Sequence, residues 1–156
     1  MSLRLALVSD IHGNVAALEA GLAEIEQAAP DHLLFLGDLV QNGPRPAEVI
    51  DAVQALEAGG AYVIAGNNDI AVADGDYAAA FPWLDEVPAA HRAVAEWTRE
   101  QLSDEQLEYL RRLPTERRVA FGDDLVLGTH GSPGSQTLGL PADLDPAITV
   151  QRVTRS

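Results

Sequence analysis

The sequence predicts an α/β fold. Three short apolar runs, residues 3–9, 33–36 and 61–65, alternate with two segments of helical period. The links between them are short and rich in Gly, Asn and Asp, as expected for a parallel sheet with right-handed crossovers. Two later β-type runs, 118–121 and 125–129, flank Gly122-Asp123-Asp124 and add a hairpin.

In the first helical segment Val15, Leu18, Leu22 and Ile25 share one stripe beginning after Asn14, and Pro30 closes it. The loop Gln41-Asn42-Gly43-Pro44-Arg45-Pro46 carries dense turn signals. Pro46 opens the second helix, with Val49, Ile50, Val53 and Leu56 on its apolar face and Gly59-Gly60 as its stop. Residues 74–86 read as a loop. Two helices follow. His91, Val94 and Trp97 form a stripe on one, and Ser103 with Gln106 forms a capping box for the other, which Pro114 ends. Residues 131–141 read as loop, and Asp145-Pro146 as the cap and first turn of a last helix. No repeat, low-complexity segment or linker divides the chain, so residues 1–156 are expected to form one domain.

Composition narrows the function. A hydrophobic fraction of 47% argues against disorder, and no apolar run reaches the length of a membrane span. The N-terminus does not read as a secretory signal, so the expected location is cytoplasmic. With no cysteine there is neither a disulfide nor a thiolate metal site. The net charge of −14, with every basic residue an Arg, repels duplex nucleic acid and acidic membranes. Bound cations would offset that charge locally.

Each of the three apolar runs ends in groups able to hold a metal: Asp10 with His12, then Asp38, then Asn67. Asp10 and His12 are two residues apart on an extended backbone and point the same way. Neighbouring strands lie roughly 5 Å apart, so these side chains converge beyond the carboxyl ends of the strands. Two carboxylates so placed repel one another unless a cation lies between them. His130, after the last β-type run, adds a second imidazole. Mixed oxygen and nitrogen donors suit a transition metal.

The ordered set Ser9-Asp10-Ile11-His12-Gly13-Asn14, Gly37-Asp38-Leu39-Val40, Gly66-Asn67-Asn68-Asp69 and His130-Gly131-Ser132-Pro133 resembles the calcineurin-like metallophosphoesterase superfamily. The Gly43 to Pro46 loop brings it near the small bacterial phosphodiesterase branch. The resemblance implies an α-β-β-α sandwich, two sheets flanked by helices. It implies two divalent transition-metal ions, one on Asp10, His12 and Asp38, the other on Asp38, Asn67 and His130. It implies hydrolysis of small phosphodiesters or phosphomonoesters by a metal-bridging hydroxide. Asn68 and Asp69 take the catalytic positions, and Asn14, Asn42 and Arg45 are candidate substrate contacts, with a plain surface role the alternative for Arg45. Where phosphoprotein phosphatases carry Asp-Arg-Gly, this chain has Gln41-Asn42-Gly43, which favours small substrates.

Two departures qualify the resemblance. Asn68 stands where the family usually has histidine, which removes a general acid. The family's last Gly-His-x-His motif is absent, so the chain is expected to be a shortened form with a half-built second sheet. An exposed apolar face and a free strand edge would follow, covered by a second copy or another chain. A fold-retaining binding or scaffold protein is the competing reading. His32 and His91 are expected to be structural, and Trp83, Trp97, Tyr62 and Tyr109 to pack in the core or as caps.

Overall fold

A computed structural model describes residues 3–78 and 80–154. Strands β1 (Leu5–Val8), β2 (His32–Phe35) and β3 (Tyr62–Val63) form a parallel sheet in that order. Helix α1 (Val15–Ala28) connects the first pair and α2 (Pro46–Ala58) the second. Then come α3 (Asn67–Asp74), α4 (Ala89–Glu100) and α5 (Asp104–Arg112). The antiparallel hairpin of β4 (Glu116–Phe121) and β5 (Asp124–Thr129) makes a second sheet, and α6 (Pro146–Val153) ends the described chain. No described helix is long and apolar enough to cross a membrane.

Alternation along β2 explains the layers. Phe35 faces the large helical core with Val63 of β3, while Leu34 faces the hairpin with Val119 and Phe121. Leu5, Leu36, Tyr62 and Val126 close that second, smaller core. A strand buried on both faces must be apolar throughout, as His32-Leu33-Leu34-Phe35 nearly is. A Cβ on Gly128 would come within 2.8 Å of the Leu34 side chain, so the bare glycine lets the hairpin approach. The two sheets are thus mixed α/β layers of the predicted class. β1 lies at the edge of its sheet, with Leu7 58% exposed, and Leu125 on β5 is 66% exposed.

Three local expectations need correction. The segment from Asn67, expected as a turn after a strand over 61–65, is a helix, and β3 itself is two residues long. The stripe His91, Val94 and Trp97 of α4 faces outward, and Ala95 and Thr98 are the buried residues. The reason is Arg99, whose guanidinium donates to the carbonyls of Val72 and Ala73 at the end of α3 and turns the small-residue face inward. Trp83 and Trp97 are likewise exposed rather than packed in the core. Tyr109 is buried, and His32 stacks at 4.6 Å from Phe121.

The capping box of α5 forms in both directions, Gln106 N–H to Ser103 Oγ at 3.2 Å and Ser103 N–H to Gln106 Oε1 at 3.1 Å. Gln106 Nε2 also donates to the Ala47 carbonyl and Asp51 of α2. Arg111 adds a third guanidinium bond to the end of α3, at 2.8 Å to the Ala73 carbonyl. Cations at a helix C-terminus complement its dipole, so α3 is fixed at the end away from the site.

Candidate metal centre

The loops leaving β1 and β2 are laced together by backbone bonds: Asp10 N–H to Gly37 O at 3.1 Å, His12 N–H to Asp38 O at 2.9 Å and Gly13 N–H to Leu39 O at 2.8 Å. This lacing forces Asp10 (φ 58°), His12 (φ 49°) and Asp38 (φ 53°) into the left-handed region. That conformation costs an L-residue roughly 1–2 kcal/mol. Strain shared by three adjacent polar residues is the mark of a site whose geometry is over-determined by its surroundings.

Two glycines permit the close approach. A Cβ on Gly66 would lie 2.1 Å from Asp38 Oδ1, and one on Gly37 would lie 2.2 Å from the Gly66 nitrogen. With no side chain at position 66, the Asp38 carboxylate reaches the first turn of α3. There the Asn68 backbone N–H donates to Oδ1 at 3.0 Å and the Asn68 carboxamide to Oδ2 at 2.5 Å. Helix N-termini favour anions through their free N–H groups.

Asp38 is 3% exposed and stands between two imidazoles. Its Oδ2 lies 3.7 Å from His12 Nε2 and 3.6 Å from His130 Nε2. Asp10 Oδ1 is 3.6 Å from the same His12 nitrogen, and Ser9 Oγ donates to Asp10 Oδ2 at 2.5 Å. Each imidazole turns its other nitrogen to a carbonyl, His130 Nδ1 to Leu36 O at 2.8 Å and His12 Nδ1 to Val40 O at 3.3 Å. A carbonyl only accepts, so Nδ1 carries the proton in both rings and the neutral form leaves a lone pair on Nε2. Asn67 donates through Nδ2 to the Ala80 carbonyl at 3.2 Å, which turns its Oδ1 to His130 Nε2 at 3.1 Å.

Lone pairs of Asp10, His12, Asp38, Asn67 and His130 therefore face one another. Among the described residues no guanidinium comes within ion-pair distance of Asp10 or Asp38. One ligand atom each from Asp10, His12 and Asp38 fits within 4.8 Å of the others. Such a set fits a divalent transition metal, because oxygen and imidazole donors are present and their charge is otherwise uncompensated. The backbone carbonyls on the two Nδ1 atoms are the usual outer support of metal-bound histidine.

The remaining expected site residues divide. Asp69 is fully buried beneath the centre, where Oδ1 accepts from Leu39 N–H at 2.8 Å and Val40 N–H at 3.1 Å, and Oδ2 accepts from Gly66 N–H at 2.9 Å. Burial, and then the charge of Asp38, push its carboxyl up to about 7 against those three donors. It ties the loop after β2 to the start of α3. Asn14 caps α1, accepting from Ala17 N–H at 3.1 Å, and Arg45 is paired with Glu48. Asn42 is exposed at φ 69°.

Residues missed in the sequence are Ser9, Gln41 and Ser132. Gln41 Oε1, Asn68 Oδ1 and Ser132 Oγ are buried with no hydrogen-bond partner among the described residues. All three follow a ligand motif by at most three residues. No residue type or spacing announces such a vacancy; it arises from the packing of the loops.

Residues 3–145 match the calcineurin-like phosphoesterase family model. A metallophosphoesterase structure from Sphaerobacter thermophilus is 32% identical, with a TM-score of 0.70 over all of this chain and 57% of its own. A hypothetical protein from Pyrococcus horikoshii is 29% identical, with a TM-score of 0.78, over 97% of this chain and 64% of its own. An uncharacterized protein of Methanocaldococcus jannaschii is 27% identical over 83% of this chain and 49% of its own length. The chain therefore spans about half to two thirds of the length of these relatives. With a family match over most of its length, and with Asp10, His12 and Asp38 grouped as a metal ion would require, the chain belongs to the calcineurin-like phosphoesterases.

Proposed function

We propose that this chain carries the centre of a dinuclear metal-dependent phosphoesterase acting on small phosphodiesters or phosphomonoesters. The observation behind the reading is Asp38 Oδ2, placed almost equally from His12 Nε2 and His130 Nε2. A carboxylate in that position would offer a ligand to a cation held beside either imidazole. Asp10, His12 and Asp38 would hold one, and Asp38, Asn67 and His130 the other. Manganese, iron and zinc all fit the donors. When bound, the cations would supply Lewis acidity to a phosphoryl oxygen and acidify a water.

The chain's own residues do the rest. Asn68 holds both oxygens of Asp38, Asp69 holds the loops that carry Asp38 and Asn67, and the backbone carbonyls of Leu36 and Val40 fix the histidine tautomers. Asn14, Asn42 and Arg45 are the candidates for contact with a phosphate oxygen, Asn14 and Arg45 being also bonded within their own helices.

Asn68 also supports a second reading, a binding or scaffold protein with weakened chemistry, because a carboxamide cannot protonate a leaving group. Metal analysis of the purified protein, followed by a manganese-dependent assay on bis-p-nitrophenyl phosphate, separates the two. Two metals with hydrolysis uphold the enzyme, and neither metal nor hydrolysis leaves the scaffold.

A further inference from the structure

A small cavity of about 130 Å³ opens beside the candidate centre, lined by Asn67, Ile70, Ala71, Ala80, Gln136 and Thr137. Its position is set by Asn67, which belongs to both. Asn67 Oδ1 faces His130 Nε2, Nδ2 is anchored on the Ala80 carbonyl, and Ile70 and Ala71 follow on the next turn of α3. Ile70, Ala71 and Ala80 make its apolar part, and Asn67 with the half-buried Gln136 and Thr137 of the loop after His130 its polar part. A dry cavity of about 150 Å³ accommodates benzene, so this one has room for a single ring or a short branched chain. Among the described residues, none that lines it is an aromatic on which a nucleobase could stack.

We infer that this cavity receives the organic group of the phosphoester, so the preferred substrates are esters of compact alcohols or phenols about the size of one ring. The inference rests on the phosphoesterase reading above. It adds what that reading leaves open, the part of the substrate that is not phosphate. Gln136 and Thr137 are placed to hydrogen-bond a hydroxyl on that group, and Ile70 with Ala71 and Ala80 to exclude water from it. A pocket that buries several carbons discriminates by tenfold or more for each methylene gained.

The test uses two non-hydrolysable probes, methylphosphonate and phenylphosphonate, titrated calorimetrically into the manganese-equilibrated protein. Phenylphosphonate is expected to bind about tenfold or more tightly than methylphosphonate. Thr137→Phe, at a half-exposed loop position, fills the cavity and is expected to bring that ratio near one. Ile70→Ala enlarges it and is expected to shift preference toward naphthylphosphonate. Equal affinity for the two probes in the native protein, or a ratio unchanged in Thr137→Phe, overturns the cavity's role while leaving the phosphoester centre standing. Failure of both probes to bind in the presence of manganese overturns the phosphoester reading and the cavity with it.

Discussion

Asn68 holds Asp38 by both oxygens, its backbone N–H on Oδ1 and its carboxamide on Oδ2. The carboxylate that stands between the two histidines is therefore aimed by the residue that replaces the family's usual histidine. Removing the carboxamide in Asn68→Ala should loosen Asp38 without unfolding α3. Outer supports of this kind are worth about 10–100-fold in metal affinity. Calorimetric titration with manganese should show a loss in that range while circular dichroism is unchanged. Native affinity in the variant would mean that Asp38 is held without this side chain.

The same exchange of histidine for Asn68 bears on leaving groups. Esters with acidic leaving groups need no proton, so bis-p-nitrophenyl phosphate should be turned over in preference to alkyl diesters. Asn68→His should narrow that gap, raising the alkyl rate by up to about 10²-fold. Steady-state rates on the two substrates measure it, and an unchanged gap counts against the role.

Gly66 is a steric requirement of the site. In Gly66→Ala the new methyl would meet Asp38 Oδ1 at 2.1 Å and the Asp38 nitrogen at 2.4 Å, both on a strained loop. Overpacking of this kind costs about 1–3 kcal/mol. The expected result is a lower urea midpoint together with weaker manganese binding, because the displaced group is itself a ligand candidate. A variant with native stability and native metal affinity would place Asp38 elsewhere.

Strand ends and helix caps were legible because they are local. Pro46 at a first turn, Ser103 with Gln106, and Asp145 ahead of Pro146 each act within three residues, and each is found as read. The convergence of Asp10, Asp38 and Asn67 was legible for a different reason: parallel neighbouring strands bring their ends to one rim whatever their exact length. Helix α3 was not, because its N-cap is a glycine without a side chain. Its first turn is satisfied by Asp69 from within and by Asp38 from thirty residues away. The inward face of α4 was hidden likewise, since Arg99 fixes it through carbonyls of α3 rather than through apolar spacing. Asn14 and Arg45 show that a polar side chain in a motif also serves its own helix, a bond that the motif alone does not announce.

Asp69 should be more important to stability than to chemistry. Its carboxylate satisfies three buried N–H groups, and each one orphaned costs about 1–3 kcal/mol. Asp69→Ala should therefore lose roughly 3 kcal/mol or more in urea unfolding. Asp69→Asn keeps Oδ1 for Leu39 and Val40 but sets an amide against Gly66 N–H, and should lose less. Equal losses would mean that the Gly66 bond carries none of the effect.

Tyr109 supplies a pH dependence of its own. Its hydroxyl donates to Glu57 Oε2 at 2.9 Å, and Arg117 lies 3.8 Å from the other Glu57 oxygen. Burial first, then the bond to Glu57 and its charge, push the phenol well above its usual value near 10. Above about pH 10 the unfolded chain releases this proton and the folded one keeps it, so the native state binds more protons. Stability should accordingly be flat below about pH 10 with respect to this group, and should fall above it by up to about 1.4 kcal/mol per pH unit. Tyr109→Phe should cost about 1–2 kcal/mol near neutral pH, through the lost bond to a carboxylate. It should also remove this part of the alkaline slope, so the native and variant unfolding curves converge as pH rises beyond 10. Parallel curves through that range would show that the Tyr109 hydroxyl titrates alike in both states.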